Sequence, residues 1–266
     1  ISNQVVFELY SLYLKDLNLL FDGKVKIDYF NEKIDYYGNF YYENLQSNIN
    51  VEMTKKIAKF YLVSEPFKSL KFLKNFLHLP NIAESWMYDN VKGDIKIEEL
   101  YAEYDLINNH IIENSIQGKA QIKDAKIRFH KDVDAVNTKS LDIFFKDNRL
   151  HFNLMEPMFK DKKLDGSFVL INNLTSEKNG QVDVFLKTNS KLDKDILDIL
   201  KAYNITLPII QKNGNTQASL LMKFPYDTTK NMSTYGEFFL NDAKVAINNF
   251  EFESKNAEVI LDDSII

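Results

Sequence analysis

Cysteine is absent from the 266-residue sequence, which excludes disulfides, thiolate nucleophiles and sulfur-ligated metals. Long apolar runs are missing as well, and none approaches the roughly 18 residues that a membrane-spanning helix needs. Glycine is scarce, with eight residues in all. No Gly-x-Ser-x-Gly, phosphate loop or dinucleotide fingerprint occurs. The histidines, His78, His110, His130 and His151, show no metal-ligand spacing, and Asp132 and Asp134 beside His130 read as a polar turn. The acidic pairs Glu98-Glu99 and Asp262-Asp263 are adjacent, so on a strand they face opposite sides and cannot cooperate. Positive charge is not in excess: 33 Lys and Arg against 38 Asp and Glu give a net charge of −5. That balance argues against a nucleic-acid partner, which calls for a basic stripe. Neither catalysis nor a cofactor or metal is expected.

What is present is period-2 alternation. In "GKVKIDYF" Val25, Ile27 and Tyr29 alternate with Lys24, Lys26 and Asp28. Ile49, Val51 and Met53 do the same, as do Leu100, Ala102, Tyr104 and Leu106. Leu150, Phe152 and Leu154 follow, then Val182, Val184 and Leu186, and last Ala218, Leu220, Met222 and Phe224. Each segment reads as a strand with one apolar and one wet face. Polar turns such as "NEK", "KDN" and "SEKNG" make the order an antiparallel meander. Two segments follow a helical period. One runs from Phe67 to His78 with Ser64 as N-cap and Pro66 in its first turn. The other is "LDKDILDILKAYN", with Asp193 and Asp195 at its start. A short third helix is expected around "NIAESWMYDN".

The chain also echoes itself. Gly118, Asp124, Ala125 and Lys126 answer Gly236, Asp242, Ala243 and Lys244 at the same spacing. Around each motif the order is strand, helix, Leu-Pro, strand, strand, which reads as an internal repeat of about 55–150 and 180–266. A tight polar turn is expected at Asp-Ala. Roughly a dozen strands exceed what an open twisted sheet tolerates, so the sheet must close, fold over or coil. Folded along its length, it makes a trough with an apolar lining.

The alternating "DGKVKIDYFNEKIDYYGNF" and "QGKAQIKDAKIRF", with "LPIIQKNGNTQASLLMKFPYD", resemble the AsmA-like superfamily of bacterial envelope proteins. The likeness is to its YhdP-like branch, a DUF3971-type domain, and covers most of the chain from Leu17 onward. The resemblance implies an elongated, curved, β-taco-like groove in the periplasm, tethered to the inner membrane by an anchor outside this segment. It also implies phospholipid acyl chains as partners, transport between the two membranes or outer-membrane maintenance, and contacts with other envelope proteins. It brings no catalytic residues. The expected fold is therefore mainly β, a single region over 1–266 with two or three short amphipathic helices. Because it begins at Ile1 and not at Met, the chain is expected to be a piece of a longer one. The candidate lipid-lining residues are Val25, Ile27, Ile49, Val51, Ile122, Ile127, Phe129, Leu220, Met222 and Phe224. Two other readings stay open: a scaffold or spacer whose sheet closes on its own core, and an outer-membrane barrel, whose strands also alternate.

Overall fold

The structure, a computed structural model, describes residues 4–71, 74, 79–174, 176, 178–207, 209–247 and 250–263. It is mainly β, with seventeen strands in one sheet and two α-helices among the described residues. The strands are β1 (Gln4–Leu14), β2 (Leu19–Asp28), β3 (Lys33–Tyr42), β4 (Leu45–Met53), β5 (Ile57–Ser64) and β6 (Val91–Asp105). Next come β7 (His110–Ile111), β8 (Gln117–Ile127), β9 (Val136–Lys146), β10 (Arg149–Met155), β11 (Met158–Phe159) and β12 (Lys162–Lys163). The last are β13 (Phe168–Asn172), β14 (Gln181–Ser190), β15 (Ile209–Pro225), β16 (Ser233–Ile247) and β17 (Phe250–Asp262). Helix α1 spans Asn81–Tyr88 and α2 spans Lys194–Ala202. The chain divides into two compact units: 1–78, 93–123 and 142–150 form unit 1, and 79–92, 124–141 and 151–266 form unit 2.

In unit 1, β1 to β6 pair antiparallel in chain order. Short polar side chains close the turns. The Asp28 carboxylate accepts from the backbone N–H groups of Phe30 and Asn31, and Thr54 Oγ1 accepts from those of Lys56 and Ile57. These local bonds compete with continued strand and reverse the chain. One expected helix meets a different structure at its start. Ser64 ends β5 and its Oγ accepts from the Ile97 N–H at 2.8 Å, so it is no N-cap. Phe67 forms a β-bridge with Ile95. Residues 72, 73 and 75–78 of that segment lie outside the described residues.

In unit 2, β13 to β17 form a second antiparallel meander. Helix α2 begins where expected, with the Asp193 side chain accepting from the N–H groups of Asp195 and Ile196. That bond satisfies donors the helix start leaves orphaned. The third helix expected from the sequence is α1, whose buried Trp86 packs its ring against Phe129 and Phe152.

The Asp-Ala pairs are not turns. Both lie inside continuous strands, and the chain crosses each in a left-handed residue, Asp124 at φ 48° and Asp242 at φ 43°. Each is followed by a buried alanine. At the second site the β15–β16 register slips, from Asn213 opposite Lys244 to Asn215 opposite Asn241, which is a bulge. Gly214 faces it at φ 87°, and a Cβ there would come within 2.5 Å of the Asp242 carbonyl.

Candidate functional site

In unit 1 the ladder registers set apolar side chains directly opposite one another across six strands. One row runs Phe7, Val25, Tyr36, Val51, Phe60, Ala102. Beside it run Val5, Ile27, Ile34, Met53, Ala58, Tyr104 and, on the other flank, Leu9, Gly23, Gly38, Ile49, Leu62, Leu100. Residues opposite in an antiparallel ladder share a face. Five strand-to-strand steps of about 4.8 Å make each row about 24 Å long. The reverse face carries Lys24, Lys26, Asp35, Glu52, Lys59 and Glu103, and Lys59 pairs with Glu103 at 3.6 Å.

The rows are packed in the middle and open at the side of β1. Ile49, Val51 and Ala58 are buried, with Tyr36, Phe40, Met53, Phe60, Tyr104 and Leu106 half-buried around them. Val25 and Ile27 are half-buried, while Val5 and Phe7 are 38% and 50% exposed. Both α-helices of the described residues belong to unit 2. The third row has a dip where Gly23 faces Gly38. The Tyr36 hydroxyl leans over it and donates to the Asp22 and Asn39 carbonyls at 2.7 and 3.0 Å. A Cβ on Gly38 would lie 2.0 Å from the Asp22 carbonyl and 2.5 Å from that hydroxyl, so Gly38 makes the room that the ring occupies, while a Cβ on Gly23 would meet the Tyr37 carbonyl at 2.3 Å. Burial is the first cause that pushes the Tyr36 hydroxyl up to about 12.

The ten expected lining residues therefore fall in two environments. Val25, Ile27, Ile49 and Val51 come together on the rows just described, and Ile122 is buried in the part of β8 that belongs to unit 1. The other five lie in unit 2. Ile127 is buried, and Phe129 is half-buried against Trp86 with its carbonyl accepting from the Tyr203 hydroxyl at 2.7 Å. Phe224 stacks against Tyr203 at 5.8 Å. Leu220 lies beneath α2, and it and Met222, on the same face of β15, are buried, Met222 completely. Sequence reasoning missed Phe7, Tyr36 and Phe60. In β1, Val6 and Tyr10 are apolar as well as Val5, Phe7 and Leu9, so alternation gives no contrast there.

Chemically, the unit 1 face offers contact and little else. Its hydroxyls come from tyrosines and from Ser47 and Ser64, and among the described residues no group of His, Asp or Glu could hold a metal. No curated protein and no solved structure matches the chain. A family model described as YhdP protein matches residues 78–266. That span is most of the chain, and the chain belongs to the YhdP family.

Proposed function

We propose that unit 1 binds phospholipid acyl chains on its apolar rows, as a non-catalytic module that shields them during transport between the inner and outer membranes. The observation that carries this reading is the set of three apolar rows crossing six strands while remaining partly exposed. Each methylene removed from water is worth about 0.8 kcal/mol, so an acyl chain of about sixteen carbons gains on the order of 10 kcal/mol from a continuous apolar surface. It needs no polar recognition, which suits a face that supplies almost none. The YhdP family is a family of envelope proteins and is not known as an enzyme family, and this supports the same reading. No helix among the described residues is long and apolar enough to cross a membrane. In this reading the inner-membrane tether lies outside the segment, and the protein works in the periplasm.

A second reading is a scaffold with a closed core, and the face under α2 favours it for unit 2. Mass spectrometry of protein purified without detergent separates the two. Copurifying phospholipid is expected, and a preparation free of lipid that also takes up none from vesicles counts against lipid binding.

A further inference from the structure

The apolar face of unit 2 is covered by a segment that no strand pairing requires. β14 and β15 pair without a break from Gln181 opposite Pro225 to Ser190 opposite Thr216. The chain after β14, residues 191–207, is an excursion that lays α2 back over the sheet. Beneath α2 the ladder sets Leu186 opposite Leu220 and, on the next row, Ala218 opposite Phe238. From the helix, Ile196, Ile199 and Leu200 reach this face. The fit is incomplete. A cavity of about 40 Å³ remains, walled by those three residues with Leu186, Ala218, Leu220 and Phe238.

The fastenings at the two ends of α2 are polar. Lys162, only 5% exposed, places Nζ 2.8 Å from Asp161 and 2.8 Å from the α2 cap Asp193. Lys160 pairs with Asp195 at 2.6 Å and with Asp134 at 3.6 Å. Past the C-terminus, the Tyr203 hydroxyl holds the Phe129 carbonyl. Water can take over the exposed Lys160 pairs, and the apolar contacts of Ile196, Ile199 and Leu200 with the sheet are the ones an acyl chain on the same face would replace.

We propose that α2 is an autoinhibitory cover: it occupies on the β14–β16 face the place an acyl chain takes, and it swings away to admit one while the Lys160 and Lys162 ion pairs hold it shut. This rests on the lipid reading for unit 1 and adds a second, gated face. The absence of cysteine makes a clean test possible. In Lys160→Cys/Asp195→Cys the two thiols stand where an ion pair now forms, and a short bifunctional thiol reagent can tie α2 down. The fluorescent fatty acid cis-parinaric acid is titrated into the wild-type chain and into the variant before and after crosslinking. Hydrogen exchange of residues 194–202 is followed alongside.

The uncrosslinked variant is expected to bind about twice as much fatty acid per chain as the crosslinked form. In the wild-type chain, fatty acid is expected to speed α2 exchange at least several-fold while β14 and β15 stay protected. The wild-type measurement stands even if the variant fails to fold. Equal binding with and without the crosslink, together with α2 exchange indifferent to fatty acid, overturns the cover and leaves the unit 1 reading intact. Absence of fatty-acid binding in every form removes both.

Discussion

Gly38 shows how much a single missing side chain decides. Its neighbours leave no room for a Cβ, because the Asp22 carbonyl and the Tyr36 hydroxyl already fill that space. Gly38→Ala must push strands β2 and β3 apart or expel the tyrosine ring. Overpacking of this kind costs about 1–3 kcal/mol, and a urea midpoint lowered without a change in slope is the expected result. An unchanged midpoint would mean that the ring does not rest on Gly38. Asp28 makes a second prediction. Hydrogen bonds, first from the Asn31 N–H and then from the Gln4 side chain of β1, hold its carboxyl at about 2, below the ordinary 3.8. A depressed acid stabilises the fold above its unfolded value, and the contribution is lost as pH falls from about 4 through about 2. Asp28→Asn should flatten the stability profile in that window and leave it unchanged in shape near neutrality. Neither feature is legible in the sequence. "YYGNF" and "FDGKV" each contain one glycine, and only the register, fixed by a turn between them, makes the two face each other.

At the scale of elements, the strands were legible and their interruptions were not. Period 2 exposes β2 and β4 because polar residues fill the alternate positions, and it still marks β14 and β15, where Phe185 and Leu221 are the exceptions. It fails for β1, which is apolar on both faces, and at Asp242, where Asp-Ala-Lys reads as a turn but the chain continues as a bulged strand. A bulge depends on what lies opposite, here Gly214, some thirty residues away. The bulge supplies its own test. Left-handed backbone costs an ordinary L-residue roughly 1–2 kcal/mol, and the Asp242 side chain is exposed, so little else changes on substitution. Asp242→Gly should hold or raise the melting temperature, and Asp242→Val should lower it. The same ordering at Asp124 is the behaviour expected of a repeated unit. Opposite orderings at the two sites would weigh against the repeat that we propose from the Gly-x5-Asp-Ala-Lys echo.

For the molecule as a whole, function turns on which apolar faces are available. Alternation marks an apolar face on β2 and on β15 alike, so the sequence treats Val25 and Met222 as equals. Whether a face is covered is a long-range fact. It depends on where the excursion carrying α2 comes to rest, and no local pattern encodes that. The two positions should therefore respond oppositely to the same change. Met222 is fully buried, and Met222→Glu places an unpaired carboxylate in a sealed core, at an expected cost of several kcal/mol. Val25 is half-buried beside the exposed Phe7, so in Val25→Glu the carboxylate can reach water. Its melting temperature should fall by only a few degrees, while phospholipid recovered per chain drops severalfold because the charge sits in the middle of an apolar row. If Val25→Glu carries as much phospholipid as the wild-type chain, the rows of unit 1 are not where the acyl chains lie. If it unfolds as readily as Met222→Glu, that face is a closed core and the scaffold reading takes its place.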